Sequence, residues 1–123
     1  MLKGFERETH DLTSEELEKV TPIMKGLSNK IGKDNAVTSS KICEAMGLTG
    51  PRLRKIINHI RIYNLVPALC GSSKGYYVAK NKEELDHYLI SLKQRISAQI
   101  KVLHSLEKQD MIFGGTGQTS IFD

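Results

Sequence analysis

The sequence predicts a mostly α fold with one small β-hairpin and a long C-terminal helix, and three observations predict it. Two short amphipathic runs meet at Gly47-Leu48-Thr49-Gly50, the second opening on Pro51, which suits the first position of a helix. Directly after them, Ala68-Leu69-Cys70 and Tyr76-Tyr77-Val78-Ala79 flank the loop Gly71-Ser72-Ser73-Lys74-Gly75, the pattern of a hairpin. From Asn81 onward, leucine and isoleucine recur every three or four residues for most of thirty positions. Two helices joined by a tight turn make a helix-turn-helix. With the hairpin as its wing, the expected class is a winged helix-turn-helix plus a long C-terminal helix.

The elements follow in order. Residues 1–12 show no period and read as an arm. Thr13 supplies a hydroxyl cap, with Glu15 and Glu16 in the first turn where the helix dipole favours acids. Leu17, Val20, Ile23, Met24, Leu27 and Ile31 then recur at helical spacing to about Gly32. Pro22 leaves open one kinked helix or two short ones. Asn35 to Thr38 is short and β-branched, hence extended. Ser39 or Ser40 caps a short helix stopped by Gly47. The next helix spans about 50–63, and Asn64 to Pro67 ends it. Tyr76 and Tyr77 point to opposite faces of their strand. Asn81 caps the final helix, residues 82–109, and a glycine-rich tail follows. The expected divisions are an arm at 1–12, a winged-helix domain at 13–80, the long helix at 81–109 and a tail at 110–123.

With 123 residues, 39% hydrophobic and 26% charged, the chain has the composition of one globular domain. No apolar run approaches the eighteen or so residues of a membrane span. The start mixes acids into any would-be leader, so a cytoplasmic protein is expected. Cys43 and Cys70 lack partners at metal-ligand spacing and read as reduced thiols, one on a helix face and one in or beside a strand. His10, His59, His87 and His104 lie on separate elements, and no catalytic constellation is present. An enzyme, a metal and a cofactor are therefore not expected. Gly114-Gly115-Thr116-Gly117 does not make a phosphate loop, because Gln118 stands where that motif needs lysine.

The net charge is only +4, but it is concentrated. Residues 36–80 carry seven lysines and arginines against Glu44 alone, while the segments on either side are each slightly negative. A focused basic patch attracts polyanions, whereas mixed charge mainly confers solubility. On a helical wheel, Leu53, Ile56, Ile57 and Ile60 of the 50–63 helix share one stripe. Lys55 and Asn58 lie opposite, flanked by Arg54 and Arg61 on one edge and Arg52 and His59 on the other. No acid interrupts them. Arginine and lysine suit guanine and phosphate, and asparagine suits adenine, in a DNA major groove. The expected DNA-reading residues are Arg52, Arg54, Lys55 and Asn58, with Thr49 and Ser40 near the phosphate backbone. His59 and Arg61 stand at the edges. In the wing, Ser73 and Lys74 are suited to phosphate.

The region from about 37 to 95, and above all the string ALCGSSKGYYVAKNKEELDHYLISLKQR, resembles small winged-helix proteins of bacteriophages. The resemblance implies phage or prophage DNA metabolism or its regulation, and no catalytic residues.

Leu85, Leu89, Leu92, Ile96, Ile100, Leu103 and Leu106 form a nearly heptad seam, longer than a winged-helix core needs. Dimerisation through residues 81–109 is the expectation, with folding back onto the N-terminal helix as the alternative. At the end, Gln118-Thr119-Ser120-Ile121-Phe122-Asp123 resembles the peptide that binds the bacterial sliding clamp. The resemblance implies that Gln118 orients the backbone while Ile121 and Phe122 fill an apolar pocket, with Ser120 also binding the partner. Thr119 departs from it, where a larger apolar residue is usual. Three readings stand together: a replication protein on duplex DNA that docks on the clamp, a transcriptional regulator of the same fold, and an inhibitor or adaptor binding an acidic host protein.

Overall fold

A computed structural model describes residues 11–114. The chain divides into two compact units, one ending at Asp86 and one beginning at His87. The first holds helices α1 (Ser14–Ser28), α2 (Ser39–Met46) and α3 (Gly50–Ile62) and strands β1 (Leu69–Ser72) and β2 (Gly75–Val78). A single 3-10 turn, Lys33–Asn35, separates α1 from α2. Helix α4 (Lys82–Gln109) begins in the first unit and supplies most of the second, followed by the short α5 (Met111–Gly114). The architecture is mostly α with a two-stranded antiparallel hairpin, a winged helix-turn-helix with a long C-terminal helix.

Helix α1 opens on a complete capping box. Thr13 Oγ1 accepts from the Glu16 N–H at 3.1 Å, and Glu16 Oε1 accepts from the Thr13 N–H at 2.9 Å. Of the two possibilities left open at Pro22, one continuous helix is observed, ending at Ser28 rather than near Gly32. Pro22 is exposed, on a side where a carbonyl deprived of its N–H partner can be hydrated.

Helix α2 is capped by Thr38, whose hydroxyl accepts from the Lys41 N–H at 3.2 Å. The expected caps, Ser39 and Ser40, are instead the first two helical residues. The cause is β pairing just upstream. Val37 and Tyr76 exchange backbone hydrogen bonds of 3.0 and 2.8 Å, which hold the chain extended up to Thr38. Gly47 ends α2 in the left-handed conformation, φ 65°, where glycine carries no Cβ penalty.

β1 and β2 pair from Leu69↔Val78 to Ser72↔Gly75, so the turn is only Ser73-Lys74, not the five-residue loop expected. Gly71 and Ser72 belong to the strand. On its other edge β2 meets the 30–37 segment: Val78 donates to the Lys30 carbonyl at 2.7 Å and accepts from the Gly32 N–H at 2.8 Å. Gly75 cannot be replaced without cost, since its φ is 118° and a Cβ there would stand 2.0 Å from the Val37 oxygen.

The core lies where α1, α2 and the hairpin converge on α3. Leu53, Ile56, Ile57 and Ile60 are at most 1% exposed, as the wheel predicts, and pack with Val20, Ile23 and Leu27 of α1 and Leu69 of β1. Tyr76 is half-buried and packs against this core, while Tyr77 and Cys70 are buried on the opposite face of the hairpin. Burial pushes the Cys70 thiol pKa up, which disfavours the reactive thiolate. Cys43 is half-buried on α2. Asn81 caps α4 through Oδ1, which accepts from the Glu84 N–H at 2.9 Å.

A candidate nucleic-acid interface

With its apolar stripe committed to the core, α3 presents its other side outward, and the cations there divide into three groups. Arg54 is exposed, and its guanidinium lies back toward the helix start, within 3.7 Å of the place a Cβ on Gly50 would occupy. Asn58, one turn further on, is partly exposed. Thr49 is the N-cap residue of α3, but its side chain makes no cap hydrogen bond, so the hydroxyl is not consumed by the helix. Ser40, in the first turn of α2, is exposed.

Arg52 and Lys55 form the second group, and here the geometry departs from the expectation of an acid-free basic face. Both turn toward α1. Arg52 Nε lies 3.1 Å from Glu16 Oε2, and Lys55 Nζ lies 3.1 Å from Glu16 Oε1. A further contact of 3.4 Å joins Arg52 to Glu15. Glu16 is 1% exposed, yet it stays ionised. The Thr13 N–H, then Lys55 and Arg52, hold its pKa down at about 2, against the opposing effect of burial. Glu15 is also lowered, chiefly by its hydrogen bond from Arg52, and Arg52 is raised, chiefly by Glu16. Arg52 and Lys55 therefore fasten α3 to α1. Their side chains keep about a third of their exposure, 34% and 33%.

Arg61 belongs to the wing side. Its Nε donates to the Leu69 carbonyl at 3.2 Å, and its guanidinium lies 5.8 Å from the centre of the Tyr76 ring. Gly71 allows that approach, because a Cβ there would meet Arg61 at 3.2 Å and the Tyr76 ring at 3.4 Å. Arg61 thus ties the end of α3 to both strands of the hairpin. His59 packs against Tyr63, ring centres 4.8 Å apart, rather than standing free at the helix edge. At the hairpin tip Ser73 and Lys74 are exposed, and the Lys74 N–H is taken by Ser72 Oγ at 3.1 Å.

Of the residues expected to face DNA, Arg54, Asn58, Thr49 and Ser40 are open along the helix-turn-helix, and Ser73 and Lys74 are open at the hairpin tip. Arg52, Lys55, His59 and Arg61 are engaged within the fold. Gln118, Ser120, Ile121 and Phe122 lie outside the described residues.

Sequence reasoning read Glu15 and Glu16 only as dipole-favoured acids. The signal that identifies Glu16 is its place at the third position after the Thr13 cap, which turns its carboxylate back toward the helix start. A second residue was missed in the same way. Lys19 Nζ donates to the Met46 carbonyl at 2.7 Å, placing a cation at the C-terminus of α2.

Among the described residues no group of three or more histidine, cysteine or acidic side chains could hold a metal ion. No described helix is long and apolar enough to cross a membrane. Compared with known protein families, curated proteins and solved structures, the chain matches none.

Proposed function

We propose that this chain binds duplex DNA, with α3 entering the major groove and the Ser73-Lys74 turn touching phosphate beside it. One observation carries the reading. The second helix of a helix-turn-helix exposes Arg54 and Asn58 on the side its core stripe leaves free, and a hairpin bearing an exposed Lys74 follows it directly. Arg54 suits guanine and Asn58 suits adenine, while Thr49, Ser40, Ser73 and Lys74 suit phosphate oxygens. Arg52 and Lys55 take a supporting part. By gripping Glu16 they set the tilt of α3 on α1, and Arg61 sets the wing against α3.

The test is a fluorescence-anisotropy titration of labelled duplexes at several salt concentrations. Arg54 and Lys74, the two open cations of α3 and the hairpin tip, give a log–log salt slope of about −2. Affinity that does not change with salt, or no binding in low salt, contradicts the proposal.

The C-terminal Gln118-Thr119-Ser120-Ile121-Phe122-Asp123 favours an extension of this reading, in which the protein acts in replication or its control by docking on a bacterial sliding clamp. Calorimetric titration of such a clamp should detect the full chain and not a version ending at Gly117. Equal heats from both, or none from either, would leave DNA binding in place and remove the clamp from the account.

A further inference from the structure

Within the second unit, helix α4 carries an apolar stripe that nothing else in that unit covers. None of its 28 residues is buried. Leu89, Ile96, Ile100, Leu103 and Leu106 are 39 to 56% exposed, and Leu92, Ile96, Ile100 and Leu103 surround a shallow hollow with Arg95 and Gln99. We propose that this stripe is covered by the α4 of a second copy of the chain, running antiparallel and centred on Ile100.

Spacing and charge carry the proposal. Leu85, Leu89 and Leu92 recur eleven residues later as Ile96, Ile100 and Leu103. An eleven-residue repeat keeps an apolar line almost straight along an α-helix, so two such helices can meet without the left-handed winding that a strict heptad imposes.

The charges select the direction. Glu107 and Asp110 continue the stripe one turn beyond Leu103 and Leu106, while Lys93 and Arg95 flank its other half. In a parallel pair these acids would face their own counterparts and the cations theirs, which is unfavourable. In an antiparallel pair centred on Ile100, Glu107 of one copy falls opposite Lys93 of the other. The Glu107–Lys93 pair then forms twice by symmetry.

Leu92, Ile96, Ile100, Leu103 and Leu106, which this register brings together, bury roughly 400 Å² per copy, about 800 Å² in total, a small interface suited to a weak dimer. A second copy offers the same line from Leu92 to Leu106, and the two-fold axis makes that patch self-complementary.

Sedimentation of the full chain without DNA tests this, so its outcome is independent of the DNA reading. A dimer at about 100 µM is expected. Ile100→Asp should convert it to a monomer, with circular dichroism confirming that the first unit stays folded. Glu107→Lys should weaken the dimer about tenfold, and Lys93→Glu in the same chain should restore it. Residues 93 and 107 are too far apart along one helix to touch, so the rescue reports a contact between copies. A monomeric full chain overturns the proposal, as does a dimer indifferent to Ile100→Asp. A dimer broken by Ile100→Asp but unaffected by Glu107→Lys overturns the antiparallel register.

Discussion

Replacing Glu16 with glutamine removes the charge on which two cations of α3 converge while keeping nearly the same shape. A carboxyl whose pKa falls from its usual 4.5 to about 2 on folding contributes roughly 3 kcal/mol above pH 4.5. Arg52 and Lys55 remain a third exposed, so water and salt screen part of this attraction, and about 1–2 kcal/mol is the expected cost of Glu16→Gln at pH 7. The sign follows from the depressed pKa. The contribution is complete above pH 4.5 and disappears as pH falls toward 2, where the wild-type carboxyl takes up its proton. Urea unfolding at several pH values should therefore show the wild type losing its advantage over Glu16→Gln across that window, with the two proteins converging at the bottom. The same substitution frees two cations beside the proposed groove contacts, so DNA affinity should rise severalfold while stability falls. A constant stability difference from pH 7 to pH 2 would refute the account of Glu16 as the ionised anchor of α3.

Three further outcomes follow from single contacts. Gly75→Ala puts a Cβ against the Val37 backbone at a φ of 118°, so a loss of about 2–4 kcal/mol, or failure to fold, is expected in thermal melts. Thr38→Ala removes the cap of α2 and should cost about 1 kcal/mol, whereas Ser40→Ala should leave the melting temperature unchanged and weaken only DNA binding. Lys19→Met deletes the bond to the Met46 carbonyl and should cost about 1 kcal/mol, checked by urea unfolding.

The element types were legible because each announces itself locally. The Thr13 and Asn81 caps, Gly47, Pro51 and the four-residue stripe of α3 all act within a turn or two of chain, and the structure has each where local chemistry requires it. The differences arise where distant segments decide. Thr38 rather than Ser39 or Ser40 caps α2 because Tyr76, far along the chain, holds Val37 extended. The hairpin turn shrinks to two residues because Gly75 must approach Val37. A wheel drawn for α3 alone shows Arg52 and Lys55 as an acid-free face, and only the packing of α1 supplies the acids. Four of the ten residues expected to face DNA, Arg52, Lys55, His59 and Arg61, are instead engaged within the fold. That is the information a one-helix projection lacks.

The most direct test of the central claim compares DNA affinity between two doubly substituted proteins. Arg54→Glu with Lys74→Glu alters only exposed side chains and should abolish binding, a loss of about a hundredfold or more, with the melting temperature unchanged. Arg52→Gln with Lys55→Gln should lower stability and reduce DNA affinity far less, because those cations serve Glu16. Full DNA affinity in the Arg54→Glu, Lys74→Glu protein would contradict the claim that α3 and the hairpin tip form the interface.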